Sequence, residues 1–254
     1  IEYLSTEDAP LNVALLLDTS QSAKDILDKI KNAALQFVKQ LRPADRCMIV
    51  SFDQTARVKS EFTNNQKSLE NAIKRTVLSQ KGGTLLHDTL SFTLEKELVK
   101  VKGRKAIILI SDGKDAGSAI TKSALLYQLA ESDAAIYSIL YQNDRVALPV
   151  VGQNQNIKIN QKKFKEFEIA QQKRNVEAAE FMGKVSELTG GRTYRKEVNN
   201  LSEAFNTIAE ELRKQYLISF YPDDPNYDAS KHQIKIRVDK KNAVVRMKNY
   251  NLLK

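Results

Sequence analysis

Cysteine is almost missing from this sequence: Cys47 stands alone, so no intramolecular disulfide can form. It lies in the apolar run Cys47-Met48-Ile49-Val50, where the expectation is a small buried thiol in a strand rather than a nucleophile. A lone cysteine suits a reducing compartment without demonstrating one. Histidine is equally scarce, and His87 and His232 are too isolated to build a zinc site. No apolar run approaches the roughly 20 residues needed to cross a bilayer, so no membrane-spanning helix is expected. There is no internal repeat, and no low-complexity tract beyond a Gln/Asn/Lys bias between 142 and 175. The sequence opens on Ile1 without a basic-then-apolar leader, which suggests a mature or trimmed chain from which a signal peptide could have been lost.

What is present is an ordinary globular composition, 42% hydrophobic and 28% charged over 254 residues. That length suits one large α/β domain with an appendage, or two small domains. Forty Lys+Arg against 31 Asp+Glu gives +9, which raises a polyanion as a partner. Residues 142–175 hold seven basic and three acidic side chains, and residues 213–254 hold ten and four. These segments contribute +4 and +6, leaving the rest of the chain near −1. With no aromatic-interleaved motif accompanying the charge, a solvated basic surface explains it better than a nucleic-acid site.

Along the chain, 1–10 reads as a polar, irregular lead-in. Apolar strands are expected at 11–17, 46–52, 104–110 and 134–141, with a short edge strand at 56–62 and another at 192–195. Helical spacing appears at 25–41, 65–77, 84–98, 120–132, 176–189 and 201–214. Strands alternating with helices imply a doubly wound, mostly parallel sheet flanked by helices. Residues 142–175 look like a polar insertion, with a short helix from Gln161 onward. After Lys214 the period changes from 3.6 to 2, and 215–254 reads as an antiparallel extension with strands at 216–221, 233–239 and 243–250. The organisation expected is therefore a lead-in 1–10, a main domain 11–214 and the extension 215–254.

The first strand ends in Asp18-Thr19-Ser20-Gln21-Ser22, one carboxylate and two hydroxyls at alternate positions. Oxygen-only sets of this kind suit magnesium, manganese or calcium better than zinc or copper. The bland alternative is an Asx or Ser turn capping the next helix. The strand at 104–110 also ends in polar residues, Ser111-Asp112-Gly113-Lys114-Asp115, and Gly82-Gly83-Thr84 opens a helix. In a parallel sheet the ligand site lies at the carboxyl ends of the strands, where Asp18, Ser20, Ser22, Asp112 and Thr84 would meet.

Those three segments resemble the von Willebrand factor type A domain. Its metal-ion-dependent adhesion site (MIDAS) is Asp-x-Ser-x-Ser, a distant Thr, and a distant Asp before Gly. Asp18, Ser20 and Ser22 match the first segment, Thr84 the second and Asp112 the third. The resemblance covers about 11–214 and implies a Rossmann-like fold and a Mg2+ (or Mn2+/Ca2+) site. Ser20 and Ser22 would bind the ion directly, with Thr84, Asp18 and Asp112 binding directly or through water. Two positions depart from the pattern: Gln21 replaces a usual Gly at the rim, and Ala23 a frequent Met. Asp88, one helical turn after Thr84, could order a site water or Ser22, or serve simply as a helix N-terminal carboxylate. Lys114 and Asp115 read as solvated rim residues. The closing segments Gln215-Tyr216-Leu217-Ile218-Ser219-Phe220-Tyr221-Pro222 and His232 to Val238 resemble the tail of bacterial VWFA-related proteins common in acidobacteria. That resemblance implies export to an extracellular or periplasmic location and a further upstream segment.

The reading that follows is a non-enzymatic binding module whose ion engages a Glu or Asp on a protein partner. Polyanion binding through the basic insertion and tail is the alternative. A phosphohydrolase with Asp18 as nucleophile fits less well, because the second Asp such enzymes need stands two residues on, where this chain has Ser20.

Overall fold

The computed structural model describes residues 3–5, 9–141, 161–196, 200–214, 217–219 and 239. Its strands are β1 Tyr3–Ser5, β2 Leu11–Asp18, β3 Arg46–Phe52, β4 Ala56–Thr63, β5 Arg104–Ser111, β6 Ala135–Tyr141, β7 Thr193–Lys196 and β8 Leu217–Ser219. Its α-helices are α1 Leu27–Val38, α2 Gln66–Lys74, α3 Leu86–Phe92, α4 Lys122–Glu131, α5 Gln161–Leu188 and α6 Leu201–Arg213. The main sheet runs β4-β3-β2-β5-β6-β7. All its neighbours are parallel except β3 and β4, the antiparallel edge pair.

Side-chain alternation along β2 builds the two faces. Leu11, Val13, Leu15 and Leu17 point to one core, packed by α1, α2 and α6. Ala14 and Leu16 point to the other, packed by α3, α4 and α5. A strand covered on both faces has no solvent side, which is why β2 and β5 read as continuous apolar runs. The strand order reverses between β2 and β5, since the chain goes first to β3 and β4 and then crosses to the opposite side. The carboxyl ends of those two strands therefore flank the crevice where open α/β sheets take their ligands. Cys47 is fully buried in β3, and burial alone pushes its thiol well above the ordinary range.

The structure departs from the sequence expectations in several places. The first helix starts at Leu27, preceded by a 3-10 turn over Gln21–Ala23. The helix expected through 98 is regular only to Phe92, then widens to a π turn at Thr93–Glu97 and tightens to a 3-10 turn at Leu98–Lys100. Thr89 and Thr93 donate their hydroxyls to the carbonyls four residues back, a bond that bends helices. The helix expected from Gln161 onward is present but not short: it runs unbroken into the one expected at 176–189, making α5 a single 28-residue helix. Its early turns carry no apolar stripe because Ile169 and Val176 are exposed, and burial begins only at Ala178. Residues 142–160 lie outside the described residues. The lead-in is not irregular throughout: β1 pairs antiparallel with β8, Leu4 opposite Ile218. Apart from Asp239, the strands expected at 233–239 and 243–250 lie outside the described residues. No helix among the described residues is long and apolar enough to cross a membrane.

Candidate metal centre

Three adjacent strands, β3, β2 and β5, are each followed by the same local device. Asp18 accepts the Ser20 amide at 2.9 Å, Asp53 the Thr55 amide at 3.1 Å, and Asp112 the Lys114 amide at 3.2 Å, each through Oδ1. A carboxylate bonded to the backbone two residues on forms an Asx turn, which stops the strand and fixes the side chain. At the switch point two of these turns are laced together. Leu17 pairs with Ile110, so Asp18 and Ser111 are next in register. The Ser111 hydroxyl donates to Asp18 Oδ2 at 2.7 Å and accepts the Gly113 amide at 3.0 Å.

Beyond Asp18 the backbone enters the 3-10 turn, with the Ala23 amide donating to the Ser20 carbonyl. The turn brings the Ser20 and Ser22 hydroxyls to 2.9 Å from each other. Ser20 stands at the N-cap position but its side chain makes no capping bond, so the bland alternative of a hydroxyl cap does not account for it. The 3.5 Å contact from the Ser22 hydroxyl to the Tyr141 phenol closes the group on the β6 side.

Thr84 reaches this edge through its backbone. Its carbonyl accepts the Ala116 amide at 2.8 Å, from the loop after Asp112, while the next amide, Leu85, donates to the Asp53 carbonyl at 2.7 Å. Two glutamines clamp the loop before it: Gln21 Nε2 donates to the Ser79 carbonyl and Gln54 Nε2 to the Gly82 carbonyl. Gln21 thus lies along the rim, stapling one strand-end loop to the loop that carries Thr84.

The electrostatics are those of a site short of positive charge. Asp18 is fully buried and Asp112 nearly so. Burial first, and the charge of Asp112 second, push the Asp18 carboxyl up to about 6 despite its bonds to Ser111 and Ser20. The Tyr141 phenol is raised well above its ordinary range by burial and by the same two carboxylates. Two buried carboxylates beside paired hydroxyls, with no nitrogen or sulfur donor, form a set that fits a hard divalent cation. Among the described residues no cluster of three or more His, Cys, Asp or Glu offers a competing site.

Two expectations about neighbouring residues, those for Asp115 and Lys114, are corrected. Asp88 lies in the first turn of α3, one of the two places open to it, and its two carboxylate oxygens accept the Ala119 and Ile120 amides, both at 2.9 Å, and so latch the loop after Gly117. Asp115 is not a solvated rim residue, since its Oδ1 accepts the His87 amide at 3.1 Å and caps the first turn of α3 from another loop. Lys114 turns inward, its Nζ 3.1 Å from Asp112 Oδ2. Asp88→Ala is expected to cost about 1–2 kcal/mol and to speed amide exchange at Ala119 and Ile120. Mn2+ affinity should stay unchanged in that variant; an Asp88 that ordered the site would lower it. Ser111, Tyr141 and Gln54 went unnoticed in the sequence. The one sequence signal for Ser111 is the polar strand end it opens; that it faces Asp18 follows from the register.

The comparisons with known proteins follow this geometry. A family model described as the von Willebrand factor type A domain matches residues 12–173. The chain belongs to the von Willebrand factor type A family. An uncharacterized Synechocystis protein is 30% identical to it over 110 residues, 42% of this chain, and the match spans only 26% of that protein's length. The VWA domain of the type V pilus tip protein Mfa5 from Porphyromonas gingivalis superposes with a TM-score of 0.57 at 14% identity, covering 85% of this chain and 99% of that one. Proximal thread matrix protein 1 of the mussel byssus, solved with zinc in its MIDAS motif, gives 0.61 at 12% identity over 85% of this chain and 50% of its own. At such identities the two structures speak to the shared VWA fold alone.

Proposed function

We propose that this VWA domain is a non-enzymatic protein-binding module working through a divalent cation held by Asp18, Ser20, Ser22, Thr84 and Asp112. One observation carries the reading: Ser20 and Ser22 hold their hydroxyls together beside two buried carboxylates instead of capping the helix that follows. Mg2+ is the ion we favour, with Mn2+ or Ca2+ able to serve, and the zinc-occupied MIDAS of the mussel relative supports a divalent site of this kind. When bound, the ion would supply a Lewis-acidic position for a Glu or Asp carboxylate of the partner. The chain's part is to offer neutral hydroxyls that leave the ion's charge largely unneutralised, so that an outside anion is attracted. Asp18 is unsuited to be a phosphohydrolase nucleophile, because Ser20 occupies the place of the second acid. The pilus-tip relative supports an exported, surface or periplasmic location.

The test is calorimetric titration with Mn2+, followed by water-proton relaxation of the Mn2+ complex as a Glu-bearing peptide is added. Wild type should bind saturably and lose relaxivity as the peptide carboxylate replaces water, whereas Asp18→Ala should bind at least about a hundredfold more weakly. Equal Mn2+ binding by the two proteins would remove the metal mechanism. Peptide capture that survives a chelator would remove the carboxylate bridge.

A further inference from the structure

Lys114 takes both oxygens of Asp112. Its backbone amide donates to Oδ1 at 3.2 Å and its ammonium to Oδ2 at 3.1 Å. The lysine stem is partly exposed, while Asp112 is almost fully buried. The contact therefore differs from a surface ion pair: the ammonium reaches inward to a carboxylate that has little water of its own. Asp112 and Asp18 stand at the ends of the paired strands β5 and β2, so two buried carboxylates share one sheet edge and positive charge nearby is favoured. Among the described residues, Lys114 forms the one ion pair made to either of them.

We propose that Lys114 is a tethered competitor for the cation site: its ammonium neutralises Asp112 until a divalent ion displaces it, and so it sets the concentration at which the site fills. This inference rests on the metal reading above. The two bonds have separate roles. The amide bond belongs to the Asx turn and stays, holding Asp112 in place, while the ammonium sits on four rotatable carbons and can swing to the rim without moving the backbone. A divalent ion then enters against one positive charge instead of into an uncompensated pair, which weakens its net affinity. Once released, the ammonium stands beside the open edge as a second positive point for an acidic partner.

Lys114→Met keeps the stem and removes the charge; Lys114→Arg keeps the charge. Against wild type, Lys114→Met should bind Mn2+ about tenfold more tightly, as expected for removing one partly screened charge a few ångströms from the ion. Its thermal midpoint should fall in chelator and return to the wild-type value in saturating Mn2+, while Lys114→Arg follows wild type. A merely structural ion pair would lower the midpoint under both conditions and leave the Mn2+ affinity unchanged. On the native chain, Mg2+ should shift the Lys114 Cε resonance in a 13C-lysine spectrum, a measurement that needs no stable variant. Unchanged or weaker Mn2+ binding by Lys114→Met, or a Cε signal that ignores Mg2+, overturns the competitor role while wild-type binding keeps the metal reading intact. Absence of Mn2+ binding in wild type overturns both.

Discussion

Asp18→Asn should make the protein more stable in chelator at pH 8, by about 1–2 kcal/mol, while abolishing its response to metal. A carboxyl held at about 6 instead of its ordinary 3.8 carries roughly 3 kcal/mol of cost once ionised, because burial and Asp112 both oppose the charge. Asparagine removes that cost and keeps the Oδ1 bond from the Ser20 amide. It returns part of the gain at the other oxygen, where Ser111 loses its acceptor while still receiving the Gly113 amide. The sign with pH follows from the raised value. Above pH 6 the folded protein bears the whole penalty; between 6 and 3.8 the folded state takes up its proton before the unfolded one and the penalty shrinks; below 3.8 it is gone. Thermal midpoints in chelator should therefore favour Asp18→Asn by roughly 3–6 °C at pH 8 and no longer favour it at pH 4, where the lost Ser111 bond outweighs the small penalty that is left. A less stable Asp18→Asn at pH 8 would show that the carboxylate is better compensated than its burial implies.

Gly113→Ala is expected to cost about 3 kcal/mol and to damage the site with it. Gly113 has φ +78, a left-handed backbone that costs an L side chain about 1 kcal/mol or more. A Cβ there would also lie 2.8 Å from Met182 Cγ and 3.0 Å from the Ala178 carbonyl of α5. Met182 is fully buried and touched at its inner Cγ, and neither it nor the helix backbone can give way without repacking the core, which adds about 1–3 kcal/mol. Relief by shifting the turn would break the Gly113 amide's bond to Ser111, and Ser111 is what holds Asp18. Thermal melting and Mn2+ titration should thus both deteriorate. Gly82→Ala is the control: its Cβ meets nothing within 4 Å, so stability should stay within about 0.5 kcal/mol of wild type. Equal losses at the two glycines would contradict the packing argument.

That contrast shows where sequence reading stops. Gly82-Gly83 leads into the helix after Thr84, yet only Gly83 of the two has a positive φ, and a Cβ at Gly113, beside Asp112, would press on α5 where one at Gly82 meets nothing. The contacts deciding this come from α5, whose relevant turn lies about 70 residues along the chain. Similarly, Asp115 reads as a rim carboxylate and Asp88 leaves two roles open, because the amides that fill their acceptor roles are 28 to 32 residues distant in sequence. The chain order of acids and hydroxyls carries no information about which loop folds over which.

The strand ending in Asp18 and followed by Ser20 and Ser22 could be read from sequence because everything that defines it is local. A continuous apolar run with an abrupt polar end determines a buried strand and its edge, and the alternation of strands with helices determines a doubly wound sheet. Tertiary structure alone decided which groups meet the oxygens at that edge. Parallel register set Ser111 against Asp18, β6 delivered the Tyr141 phenol to Ser22, and a two-residue turn bent Lys114 back onto Asp112. Backbone pairing and side-chain reach across separate elements settle such contacts, and neither is written in the neighbours of a residue along the chain.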